Sequence, residues 1–252
     1  MKLAVTGKGG VGKTTFCSLL ARAYVNAGNR VLAVDADPNT TLASCLGFPS
    51  PEKIPSLAEM DSLIEERTGV KPGTPGAIFQ LNPRVDDIVE RFATTYNGVS
   101  LIRMGTVKNG GAGCYCPENA FLKSLVSHLF LDKQDVLIMD MEAGIEHFGR
   151  GTARGVDWLL IIVEPSRQSM DTAKRIQSLA ADIGITKVGV VCNKCHDDDE
   201  KDFVVQSLAP MSIFGVLPYD EALRQSEKEG HSPETSSELV ESEIQNIMTR
   251  LI

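Results

Sequence analysis

The chain has no apolar run approaching the roughly 18 residues that a membrane-spanning helix needs, no internal repeat, no low-complexity tract and no excess of positive charge. Lysine and arginine total 25 against 33 aspartates and glutamates, a formal net charge of -8. That leaves no electrostatic footprint for nucleic acid or an anionic lipid surface, so neither is expected as a partner. The apolar part of the opening MKLAVTGKGG is far too short for a signal-peptide core, which predicts a cytoplasmic protein. Cysteine is scarce, with six in all at positions 17, 45, 114, 116, 192 and 195. In a reducing compartment these read as metal ligands, redox groups or small core residues rather than as a disulfide framework. What is present is an ordinary globular balance of 42% hydrophobic and 23% charged residues, and 252 residues suit one large α/β domain.

Short runs rich in Val, Ile and Leu alternate with longer stretches of helical spacing, the pattern of βα units round a mostly parallel twisted sheet flanked by helices. Strands are expected at residues 3–6, 31–35, 99–104, 135–140, 158–163, 187–192 and 212–217, and helices are expected to fill most of the gaps, most clearly at 13–27, 118–131, 170–183 and 234–250. Between about 48 and 98 proline and glycine rise and strand signals weaken, which predicts an insertion of loops and short helices at one sheet edge.

GKGGVGKTT, Gly7 to Thr15, follows the first strand and opens the first helix, and it satisfies G-x-x-x-x-G-K-[ST]. Glycines let the backbone curl until the N–H groups of Gly9, Gly10, Val11, Gly12, Lys13, Thr14 and Thr15 converge on phosphate oxygens. Lys13 reaches the β- and γ-phosphates and the Thr14 hydroxyl joins a Mg²⁺ shell. Lys8 makes the loop resemble the deviant Walker A sequence KGGVGKT of the family that includes MinD, ParA, the arsenical pump ATPase and the nitrogenase iron protein. The resemblance implies a P-loop ATPase of the SIMIBI/MinD type in which Lys8 crosses a nucleotide-bridged homodimer to the partner's phosphates.

Two carboxylate segments fit the same family. VLAVDADPNTTL ends a strand with Asp35 and Asp37, and DVLIMDMEAG ends another with Asp140 before Gly144. By resemblance Asp37 orients or deprotonates the attacking water, Asp35 and Asp140 support Mg²⁺ through water, and the Gly144 N–H senses the γ-phosphate. Asn193, at the end of a strand, can pair with a donor and an acceptor on a purine. The family implies adenine, with Lys194 and the Pro218 segment beside the base, hence ATP and ADP as ligands. Cys192 to His196 also matches the C-x-x-C-H of haem attachment, but strand-end or core cysteines are the favoured reading, with a second metal site as an alternative. Cys17 and Cys45 are expected in the core, and His128 and His147 to be structural or at the surface.

The remaining pair lies in GAGCYCPEN. Pro117 suits the first position of a helix, so Cys116 becomes its N-cap, and thiols at a helix N-terminus are biased toward thiolate. Cys114 and Cys116 offer only two ligands where a caged Zn²⁺ or Ni²⁺ takes about four. A twofold dimer axis near this turn would bring two thiolates from each chain into one site. KGGVGKTT, DADPNTTLASCLG, CYC and DMEAGIEHFGRG together resemble the CooC/AcsF type of nickel-insertion ATPase. That resemblance implies Ni²⁺ on Cys114 and Cys116, with Zn²⁺ able to occupy the same thiolates, and carbon monoxide dehydrogenase or acetyl-CoA synthase as client. An iron–sulfur cluster carrier of the Mrp type and a MinD/ParA-like positioning switch are the alternatives. The acidic tail SSELVESEIQNIMTRLI argues against a membrane-targeting helix.

Overall fold

The computed structural model describes residues 1–37, 39–74, 76–105, 116–131, 136–145, 148, 150–229, 232 and 236–252. Cys114 and His147 lie outside the described residues. Among the described residues eight strands form one sheet: β1 Lys2–Thr6, β2 Val31–Ala36, β3 Thr94–Tyr96, β4 Val99–Arg103, β5 Val136–Met141, β6 Trp158–Val163, β7 Val188–Cys195 and β8 Ile213–Pro218. Their spatial order is β3-β4-β2-β5-β1-β6-β7-β8, and every pairing is parallel except β3 with β4. Parallel strands covered by helices on both faces carry nearly continuous apolar sequence, and β2, β5 and β6 do so.

Among the described residues ten α-helices accompany them: α1 Lys13–Asn26, α2 Leu42–Cys45, α3 Asp61–Thr68, α4 Ile88–Phe92, α5 Pro117–Leu131, α6 Arg150–Ala153, α7 Arg167–Ile183, α8 Asp198–Leu208, α9 Glu221–Glu229 and α10 Glu238–Leu251. Side chains alternate across a strand, so Leu3 and Val5 of β1 join α1 and α10 in one core layer. Ala4 joins α5, α7 and α8 in the other. Helix starts are specified locally. Ser166 accepts from the Ser169 N–H ahead of α7, Asp197 accepts from the Glu200 N–H ahead of α8, and Ser237 accepts from the Val240 N–H ahead of α10. Gly184, at φ 89°, terminates α7.

The seven anticipated strands are present within one or two residues of their expected starts. β7 runs three residues further, to Cys195. The antiparallel β3 was not anticipated: three residues, two of them exposed, carry no alternating signal, and only pairing with β4 makes them a strand. Helices α8 and α9 lie in gaps between and after the expected strands, as the helix-filled gaps of the sequence pattern lead one to expect, and have mostly solvent-facing sequence. Among the described residues no helix is long and apolar enough to cross a membrane.

Candidate functional site

The carboxyl ends of β1, β2, β5 and β7 share one edge of the sheet, where a parallel α/β sheet gathers its loops. The Gly7–Gly12 turn leaves β1 there and enters α1. A Cβ at Gly12 would sit 2.4 Å from Asn193 Nδ2, and one at Gly7 would sit 2.2 Å from the Ile162 carbonyl oxygen. Both positions have positive φ, 89° and 149°, so close approach and backbone conformation each demand glycine there. No side chain caps α1. Its first-turn N–H groups therefore face a cavity of about 420 Å³ lined by Gly9, Gly10, Lys13, Thr14, Asp37 and Thr41 among others. Unpaired amides and the positive helix end suit an anion.

Lys13, 7% exposed, holds its ammonium 3.8 Å from Asp37 Oδ2. Asp37 Oδ1 accepts from the Asn39 N–H. On the far side, Asn193 Nδ2 donates to the Val11 carbonyl at 2.8 Å and Lys194 Nζ donates to the Gly10 carbonyl at 3.0 Å. These two bonds tie β7 to the glycine-rich turn, and they commit the Asn193 amide N–H to the protein backbone. A neighbouring cavity of about 240 Å³, lined by Asn193, Pro218, Tyr219 and Leu223, shares Thr15, Lys194 and Glu227 with the first.

Asp35 and Asp140 stand directly opposite each other in the β2–β5 register. Thr14 Oγ1 donates to Asp140 Oδ2 at 2.6 Å, and the Leu42 N–H donates to Asp35 Oδ2 at 3.1 Å. The Oδ1 atoms of both carboxylates are buried without a hydrogen-bond partner. Two orphaned carboxylate oxygens beside a threonine hydroxyl match the oxygen donors a hard divalent cation takes, directly or through its waters, so Mg²⁺ fits these residues. Burial, reinforced by the charge of Asp140, pushes Asp35 up to about 7. Burial pushes Asp140 up to about 6, against the opposing Thr14 hydrogen bond and Lys13 charge.

These raised values set a pH dependence. In the unfolded chain both carboxyls release their protons near pH 4, whereas the folded, cation-free protein holds them until about pH 6 to 7. The native state binds more protons across that window, so stability falls as pH rises through it. Thermal unfolding of the metal- and nucleotide-free protein will show a lower Tm at pH 7.5 than at pH 5, and Asp35→Asn will flatten that slope. A Tm that rises over the same interval would refute the assignment.

Gly144 follows β5, where its N–H donates to the Glu142 carbonyl at 2.8 Å and to Thr6 Oγ1 at 3.2 Å. A role in sensing a γ-phosphate therefore requires these bonds to break. Lys8 is paired within its own chain, 3.2 Å from Glu164 Oε1, and must leave that carboxylate to cross to a second copy. Cys116 immediately precedes α5, and its carbonyl accepts from the Ala120 N–H at 3.1 Å, as an N-cap residue's does. It borders a cavity of about 280 Å³ with Phe79, Leu81 and Asn119.

Cys17 is buried as expected. Cys45 is not a core residue: it is partly exposed and lines the cavity beside the glycine-rich turn, because α2 packs its Leu42 and Ala43 inward and leaves its last residue at the rim. Burial still pushes its thiol up to about 12. Cys192 and Cys195 are buried, Cys195 at the edge of a surface cavity, and among the described residues no group of three His, Cys, Asp or Glu side chains could hold a metal ion. The His196 ring stacks on Tyr219, with centroids 4.5 Å apart.

Glu227 escaped the sequence reading. Its Oε1 accepts from Thr15 Oγ1 at 2.6 Å and its Oε2 lies 3.9 Å from Lys194 Nζ, which puts a carboxylate beside the glycine-rich turn. α9 has no buried residue, so no local pattern marks it. Only the partner hydroxyl, 212 residues away in sequence, reveals the contact.

Residues 2–233 match the family described as the CobQ/CobB/MinD/ParA nucleotide binding domain. The chain is 47% identical over 230 residues to an uncharacterized ATP-binding protein of Methanocaldococcus jannaschii, covering 90% of this chain and 88% of that one. It is 44% identical over 235 residues to the carbon monoxide dehydrogenase accessory protein CooC of Rhodospirillum rubrum, covering 92% and 89%. Among solved structures, a ParA family ATPase from Chlorobium tepidum superposes with a TM-score of 0.70 at 19% identity over 98% of this chain and 97% of that one, a likeness of fold. With its glycine-rich turn, buried Lys13 and paired strand-end carboxylates, the chain belongs to the CobQ/CobB/MinD/ParA nucleotide-binding family, as an ATPase of the CooC type.

Proposed function

We propose that this ATPase is a nickel carrier for carbon monoxide dehydrogenase maturation, with its cargo held on Cys114 and Cys116 at the interface of a homodimer. The observation that carries the proposal is the 44% identity to the carbon monoxide dehydrogenase accessory protein over nearly the whole chain, joined by Cys116 at the N-terminus of α5. Acetyl-CoA synthase is the second candidate client. The working compartment is the cytoplasm.

In this reading the N–H groups of the Gly9–Thr15 turn enclose the β- and γ-phosphates, and the buried Lys13 ammonium neutralises charge that develops on the transferred group. Asp37, beside Lys13, orients the attacking water and accepts its proton. Asn193, Lys194 and Pro218 bound the base. Thr14, Asp35 and Asp140 hold Mg²⁺, which supplies charge neutralisation at the phosphate oxygens. Lys8 leaves Glu164 for the partner's phosphates, and the Gly144 N–H leaves Thr6 and Glu142 for the γ-phosphate. ATP thereby draws two protomers together, and hydrolysis loosens the cargo site.

The test is the Ni²⁺ or Zn²⁺ carried per protomer by the reduced protein under anaerobic conditions, followed across a size-exclusion peak with absorption spectra. About half an equivalent coinciding with a dimer is expected from a four-thiolate site shared across a twofold axis. Metal on a monomer, or none, would refute the shared site, and broad visible absorption after reconstitution with iron and sulfide would transfer the pair to a cluster carrier.

A further inference from the structure

β7 does not keep a regular register with β8. Cys192 lies opposite Val216 and Cys195 opposite Pro218, a step of three residues against two, so one residue of β7 is extra. The extra residue coincides with Lys194, whose φ is 60°. In an unbroken strand, residues three apart point to opposite faces. A bulge resets the alternation, and Cys192 and Cys195 accordingly lie in the same buried cluster on one face of the sheet. Both thiols are buried in that cluster, three positions apart across the bulge, and a disulfide between them would need a close Cβ approach. Cys195 also donates from Sγ to the Asp197 carbonyl at 3.4 Å.

The pair is tied to the nucleotide cavity on both sides. Asn193 and Lys194, enclosed between the two cysteines, make the bonds to Val11 and Gly10 that hold the glycine-rich turn. The Cys195 carbonyl accepts from the Tyr219 N–H at 2.8 Å, which places the wall of the neighbouring cavity. Cys195 further lines a surface cavity of about 580 Å³ that presents Lys201 and Arg250 together with Asp197, Asp198 and Glu243. A small-molecule disulfide could reach Cys195 by that route.

We infer that Cys192 and Cys195 are a redox-modifiable dithiol, which a small-molecule disulfide converts to an intrachain disulfide that weakens nucleotide binding. Cys195, deprotonated, attacks one sulfur of the small disulfide and expels the other as a thiolate. Cys192, deprotonated in turn, then attacks Cys195 Sγ of the mixed disulfide and releases the second small thiol. The dithiol loses two electrons and two protons, and the small disulfide becomes two thiols. The new bond closes a ring over Asn193 and Lys194, and ring closure cannot leave the left-handed backbone at Lys194 and both contacts to the turn undisturbed. Burial pushes both thiols above their usual range, so the exchange is slow at neutral pH.

The inference rests on reading the cavity as a nucleotide site. The full chain is equilibrated anaerobically in glutathione buffers of increasing oxidised-to-reduced ratio, free thiols are trapped and mapped by mass spectrometry, and Mg-ATP affinity is measured on the same samples. Oxidation is expected to remove about two hydrogen masses from the peptide holding Cys192 and Cys195 and to weaken Mg-ATP binding by ~10-fold or more. Dithiothreitol should reverse both, and C195A should bind Mg-ATP equally in every buffer. A pair that stays reduced throughout, that stops at a glutathione adduct, or that oxidises without changing affinity overturns the inference. A reduced protein that fails to bind Mg-ATP overturns the nucleotide reading itself, and the coupling with it.

Discussion

Lys13→Ala lowers ATP turnover by about 10²-fold or more, the loss typical of removing one preorganised charge from a transition state. It also weakens Mg-ATP binding by roughly 1.5–3 kcal/mol, the range for a charged hydrogen bond. The reason lies in the setting of the side chain. Lys13 is 7% exposed and its ammonium lies 3.8 Å from Asp37 Oδ2. An ammonium held in a largely dry pocket interacts with phosphate far more strongly than a solvated one. Phosphate-release kinetics and equilibrium titration check the two effects separately. A variant that binds weakly but turns over at the wild-type rate when saturated would restrict Lys13 to ground-state binding. The fold is expected to survive, because losing Lys13 also removes a buried charge, so circular dichroism should be unchanged.

Cys116→Ala, compared with Cys114→Ala, strips the protein of metal. If a dimer shares four thiolates, each single substitution removes two of them at once, and a two-thiolate remnant has half the ligands that a closed Zn²⁺ or Ni²⁺ site takes. The expected outcome is a fall from about half an equivalent per protomer to near zero in either variant, with ATP turnover spared. Elemental analysis of the size-exclusion peak reads the first quantity and a phosphate assay the second. Full metal in either variant would remove that cysteine from the cargo site. Loss of turnover with loss of metal would mean that hydrolysis itself depends on an intact cargo site.

The glycine-rich turn was legible because its chemistry is local: nine consecutive residues between a strand and a helix carry the backbone shape, the ammonium and the hydroxyl together. Asp35 and Asp140 were legible one at a time, each as a carboxylate at the end of an apolar run. That they face each other in register, each with an orphaned oxygen, is a consequence of β2 and β5 being adjacent. Their raised pKa values follow from that adjacency and burial. Asn193 was legible as a polar residue ending a strand. Its bond to Val11 was not, since the two residues stand 182 positions apart.

The order of apolar runs and helical stretches, read with the motif after the first strand, was enough to determine the α/β class and the nucleotide chemistry, because both depend on short-range pattern and on residue type. The tertiary structure alone decided the contacts between distant segments: Glu227 on Thr15, Lys8 on Glu164, the Gly144 N–H on Thr6, and the bulge that turns Cys192 and Cys195 to one face. Each depends on which strands become neighbours and in what register, and a one-residue change of register turns a side chain to the opposite face of the sheet. Local propensity carries no record of that choice; burial of the two core layers makes it.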